Sequence, residues 1–130
     1  MATIKTTLAI NATSVFPQDV SFTVSHTYSN TDLNTDSKEI GQLTVSSANT
    51  EITVGDLVDS RALVYIKNTG ASGDPDVVMI DGGGSVEFAT IKPGEFMVFP
   101  YDSGDASNLF VKSSSSSVAY LDYLVAELAA

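Results

Sequence analysis

Val20-Ser-Phe-Thr-Val-Ser-His-Thr-Tyr28 alternates without a break. Its even positions read Val20, Phe22, Val24, His26 and Tyr28, and its odd positions Ser21, Thr23, Ser25 and Thr27 are all hydroxylated. Successive side chains of a strand point to opposite faces, so this stretch predicts a strand with one face buried and the other wet. Outward from it, the chain keeps the same character. Valine, isoleucine and threonine make up 34 of the 130 residues. Such β-branched side chains are stiff at χ1 and pack well on a pleated surface, which favours strands over helices.

Four further runs are apolar without alternation: 62–66 (Ala-Leu-Val-Tyr-Ile), 77–80 (Val-Val-Met-Ile), 96–99 (Phe-Met-Val-Phe) and 118–121 (Val-Ala-Tyr-Leu). Each is bounded by Gly, Pro, Asn, Asp or Ser and is too short for a helix of about 10–12 residues. They read as strands covered on both faces. Segments 4–10, 40–46, 51–54, 86–91 and 109–112 complete a set of about ten short strands, the spacing of a sandwich or barrel. Between them, Asp81-Gly-Gly-Gly-Ser85 predicts a hairpin turn. Pro93-Gly94 suits a type II turn, since Pro pre-sets φ at i+1 and Gly accepts positive φ at i+2. Residues 68–75, the acidic stretch 30–39 and the serine run 113–117 read as loops. Residues 120–130 also have helical spacing at Leu121, Leu124, Val125 and Leu128. Tyr120, Tyr123 and Val125 favour a strand through about Ala126, then a free end.

These elements predict one all-β domain over residues 1–130, an antiparallel β-sandwich of nine or ten strands. Residues 1–10 serve as an extended N-terminal arm or an edge strand. A chain of 13.6 kDa folds to about 6,600 Å² of surface, from about 19,700 Å² unfolded, which is enough burial for a core without staples. Jelly-roll and immunoglobulin-like strand orders both use such short alternating strands, and the pattern does not separate them.

Composition removes several function classes. With no cysteine there is no zinc finger, iron–sulfur cluster, thiol nucleophile or disulfide scaffold. Sixteen acids against six bases give a net charge of −10, and the six (Lys5, Lys38, Arg61, Lys67, Lys92, Lys112) are scattered singly. Nucleic acid is therefore not an expected partner. No run of 18 apolar residues spans a membrane, and the N-terminal residues lack the apolar stretch of a signal peptide. A soluble domain made inside the cell is expected. The sequon Asn11-Ala-Thr13 is then idle.

Chemistry-bearing residues each have a plainer reading. His26 lies on the apolar phase of its strand and reads as a packed histidine. The glycines after Asp81 could cradle a phosphate, but a strand with an acid follows, where a cradle needs a helix start and a Lys or Ser/Thr. Asp74, Asp76, Asp81, Asp102 and Asp105 offer oxygens to calcium only if several loops converge, so a solvated loop face is the simpler reading. Glu51, Glu87 and Glu95 show no pattern of paired carboxylates with sugar-stacking aromatics. No catalytic residue, cofactor or metal is assigned. The four runs that lose their polar phase carry more apolar surface than one small sheet-on-sheet core takes, and a second subunit is the expected cover.

The second half of the chain resembles small virion proteins of tailed bacteriophages. The residues that carry this are Arg61-Ala-Leu-Val-Tyr-Ile-Lys-Asn-Thr-Gly70, Ile91-Lys-Pro-Gly-Glu-Phe-Met-Val-Phe-Pro100, Asn108-Leu-Phe-Val-Lys112 and Val118-Ala-Tyr-Leu-Asp-Tyr-Leu-Val-Ala-Glu127. Their order is similar to the β-sandwich of capsid decoration (cement) proteins and related tail or fibre modules. That resemblance implies a jelly-roll-like sandwich and a non-enzymatic structural protein of the virion. Such a protein is made in the bacterial cytoplasm, binds the major capsid protein or other virion subunits, and assembles as a homo-oligomer. For docking, the expected segment is Ala2, Thr3, Ile4 and Lys5, whose end can pair with a neighbour's sheet edge. The alternative is a tail or fibre module recognising a host receptor or glycan, with Tyr101 beside Asp102 and Asp105 as its one aromatic hint.

Overall fold

The computed structural model describes residues 3–29, 33–52, 61–81, 86–102 and 109–128, with backbone alone for 33–39. Ten strands run through them: β1 (Ile4–Ala12), β2 (Val20–Tyr28), β3 (Leu33–Val45), β4 (Thr50–Ile52), β5 (Arg61–Asn68), β6 (Val77–Ile80), β7 (Glu87–Ile91), β8 (Phe96–Asp102), β9 (Leu109–Ser113) and β10 (Ala119–Leu128). There is no helix among the described residues. The expected all-β antiparallel architecture is what forms.

Pairing is nested. β6 pairs with its chain neighbour β7, β5 with β8, β4 with β9 and β3 with β10, all antiparallel. Two further ladders, β10 with β5 and β6 with β9, join these pairs into four-stranded sheets of order β3-β10-β5-β8 and β4-β9-β6-β7. A long two-stranded ribbon that rolls up produces this interleaving of early with late strands. The remaining pair, β1 with β2, is a separate two-stranded sheet.

One face of each four-stranded sheet supplies the core. Val64, Ile66, Leu121, Tyr123 and Val125 come from the first sheet, and Ile52, Val77, Met79, Ile91, Leu109 and Val111 from the second. Each such side chain, fully buried, contributes roughly 1.5–3 kcal/mol relative to exposure. The central strands β5 and β6 are covered on both faces as expected: Leu63, Val78 and Ile80 point away from the shared core and are still buried. β8 is not. As an edge strand it alternates, with Met97, Phe99 and Tyr101 against the core while Phe96 and Val98 stay exposed. Pro100 fits there, because an edge strand tolerates a residue that cannot donate to a ladder. The run 118–121 is not covered on both faces either: Ala119 and Leu121 are buried, and Val118 and Tyr120 stay exposed.

The turns follow their local chemistry. At Pro93-Gly94 the Glu95 N–H donates to the Lys92 carbonyl at 2.9 Å and Gly94 has φ +88°, as a type II turn requires. Around Asp81 the backbone bond from Asp81 N–H to the Val86 carbonyl closes the β6–β7 connection, and the glycines between lie outside the described residues. One reading is corrected. Residues 33–39 belong to β3, not to an exposed loop, because they pair with the end of β10 (Glu39 with Val125, Lys38 with Ala126). A ladder partner nearly a hundred residues away outweighs a polar local composition. β10 likewise continues to Leu128, two residues past the expected end.

Candidate assembly surface

β1 and β2 pair in full register from Ile4 with Tyr28 to Ala12 with Val20. The register puts the large apolar side chains on one face: Leu8 stands opposite Val24, and Ile10 opposite Phe22. The other face is polar, with Thr7 opposite Ser25 and Asn11 opposite Ser21, whose hydroxyl donates to the Asn11 Oδ1 at 2.6 Å. The tip is tied by the Ser14 N–H donating to Asp19 Oδ1 at 3.0 Å. No third strand among the described residues joins this pair. The alternation of 20–28 thus predicts its strand correctly, but its apolar phase is not buried by this chain. Phe22 is 44% exposed and Val24 55%. His26, expected to be packed, is also exposed and stands edge-on to the Tyr28 ring at 4.6 Å.

Beside the hairpin, the outer face of the β3-β10-β5-β8 sheet carries a cross-strand row of Ile40, Leu124, Tyr65 and Val98. Hairpin and sheet face together wall an open groove of about 640 Å³, lined by Leu8 and Val24 on one side and Leu63, Tyr65, Phe96, Val98 and Leu124 on the other. Lys5, Thr6, Thr7, Ser25 and His26 add a polar margin on the hairpin side. The sheet side of the cleft is apolar, and that side suits packing against another apolar surface.

Several of the acids weighed above close turns. Asp74 Oδ2 accepts from the Ala71 N–H at 2.8 Å, Asp81 Oδ1 from the Val86 N–H at 3.2 Å, and Glu95 Oε2 from the Lys92 N–H at 2.9 Å. Glu87 forms an ion pair with Lys112. Glu51 and Glu87 stand on opposite edges of one sheet, linked in register through Phe110 and Ile80. Three strand spacings put them roughly 14 Å apart at the backbone, wide of the ~5–9.5 Å that glycoside hydrolysis needs. Among the described residues no three of His, Cys, Asp and Glu come together as a metal site. Tyr101 packs edge-on to Phe99 at 6.3 Å against the core, so it offers no loop platform for a sugar.

The structure places Ile4 and Lys5 at the start of β1, paired with Tyr28 and Thr27, and Thr3 exposed just before them. Ala2 lies outside the described residues, as does Asp105. What the residue-by-residue reading missed is the rest of the hairpin face. Its signal was present in 4–12, whose even positions Ile4, Thr6, Leu8, Ile10 and Ala12 are apolar at all but Thr6 and match those of 20–28 in phase. The chain matches no family model, no curated protein and no solved structure.

Proposed function

We propose that this protein is a non-enzymatic structural component of a phage virion, a capsid decoration protein that binds and stabilises the head. We read its nested strand order as a jelly roll. The observation that carries the reading is the hairpin with its exposed apolar face and the open groove beside it, walled by apolar side chains of the neighbouring sheet. Such a surface is built to meet another subunit. Cohesion is then the mechanism: each copy bridges neighbouring shell subunits over on the order of 800 Å² per contact, and many weak contacts sum. A charge of −10 suits a body on the outer side of a shell, since an acidic face repels packaged DNA. The partners are the major capsid protein and further copies of the chain, and the site of action is the virion.

The test is co-sedimentation of the purified chain with mature shells that lack it. Saturable binding, with shells made more resistant to heat or to chelation, supports the reading. Shells that pellet without the chain at every concentration refute it. The second reading, a tail or fibre module for a host receptor or glycan, predicts instead binding to host cells or envelope glycans with no affinity for shells.

A further inference from the structure

We infer that the apolar face of the β1–β2 hairpin and the groove beside it form the contact between two copies of this chain, each laying its hairpin face into the other's groove. Three observations lead there. An isolated two-stranded hairpin is marginal in water, and needs a third strand or a packed face to hold nine paired residues per strand. Here no third strand among the described residues joins it, and its apolar face stays open.

The second observation is area. Leu8, Ile10, Phe22, Val24, Phe96 and Val98 are each between 41% and 58% exposed. At roughly 150–250 Å² for a free side chain of this size, they present roughly 500 Å² of apolar surface. One partner's share of a standard interface is about 800 Å², some 60–65% of it apolar, which again is roughly 500 Å².

The third observation is charge. Residues 4–28 hold one base, Lys5, and one acid, Asp19, so the hairpin is neutral. The rest of the chain, with five bases and fifteen acids, carries the whole −10. Two identical acidic bodies repel over most of their surfaces, and the hairpin is where they can touch without like charges opposed. A partner of opposite charge would instead be drawn to the acidic remainder. A neutral apolar face is complementary to itself, as a two-fold contact requires.

Sedimentation of the full chain, without shells, tests this separately from head binding. A mass of twice 13.6 kDa that falls towards one chain on dilution is expected. Leu8→Asp and Val24→Asp, which place two like charges across the contact, should weaken association at least tenfold, while Val86→Asp, in the connection just before β7, leaves it unchanged. Because the chain has no cysteine, Phe22→Cys gives a single thiol, which should cross-link copy to copy under mild oxidation. Ser72→Cys, on the loop between β5 and β6, should not. The cross-link decides where a charged variant loses its cooperative melt. A single chain up to on the order of 100 µM overturns the inference. So does association indifferent to both charged variants, or a Phe22→Cys chain that cross-links to added shell subunits and never to itself.

Discussion

Asn68 is fully buried at the end of β5, and its side-chain amide joins parts of the molecule that share no ladder. Its Nδ2 donates to the Ile91 carbonyl at 2.9 Å, at the end of β7 in the opposite sheet, and to the Pro75 carbonyl at 3.1 Å. Its Oδ1 accepts from the Gly70 N–H at 2.9 Å. Asn68→Ala removes all three. A buried group left without its partner costs about 1–3 kcal/mol, and a lost hydrogen bond near solvent about 0.5–1.5, so the expected loss is about 3 kcal/mol. For a chain of this length that lowers Tm by about 10 °C. Asn68→Asp sharpens the test. The oxygen that replaces Nδ2 would face the Pro75 and Ile91 carbonyl oxygens with no donor, which raises the buried carboxyl's folded-state pKa above the usual ~3.9 of the unfolded chain. The variant's deficit relative to the parent is then smallest below pH 4 and grows as pH rises from there towards 7. Denaturant unfolding at pH 3.5 and 7, at one fixed protein concentration, measures both effects. A loss under 1 kcal/mol for Asn68→Ala would refute the reasoning. So would an Asn68→Asp deficit that does not change with pH.

Other substitutions probe the remaining layers. Met79→Ala, fully buried between β7 and β9, should cost about 2–5 kcal/mol in denaturant midpoint with an unchanged m-value, whereas Ile40→Ala, 76% exposed, should stay within about 0.5. Gly94→Ala meets no atom within 4 Å, so its loss, about 1–2 kcal/mol, is purely that of a Cβ at φ +88°. Gly70→Ala brings a Cβ to 3.0 Å from both Asn68 Oδ1 and Asp74 Cβ, so its cost should add only in part to that of Asn68→Ala, as a double-mutant cycle would read. The Lys112–Glu87 pair is solvent-exposed on the Glu87 side, and its coupling energy should be at most about 1 kcal/mol and fade in 1 M salt.

Legibility varied with how local the cause was. The strand at 20–28 is found with its bounds intact, because a period of two depends only on covalent neighbours. Pro93-Gly94 is likewise a turn by its own dihedrals. Residues 33–39 were misread since their strand exists only through β10, at the far end of the chain. For β8, an apolar run looked covered on both faces, but an edge position leaves Phe96 and Val98 open. The candidate surface was half visible. The expected docking residues Ile4 and Lys5 lie in β1, but nothing local marks Leu8 and Val24 as partners across a hairpin or Phe96 as their neighbour over a groove.

Alternation, β-branching and turn residues were enough by themselves to decide that this chain makes strands, about how many, and where most of them begin and end. They act over two to four residues, within reach of one dihedral's neighbours. Which strands pair, in what nesting, and which apolar faces remain uncovered were decided only in three dimensions. Burial is supplied by residues remote in the chain, so a stripe of valine and phenylalanine looks the same in sequence whether a second sheet covers it or, as along the hairpin, it stays exposed.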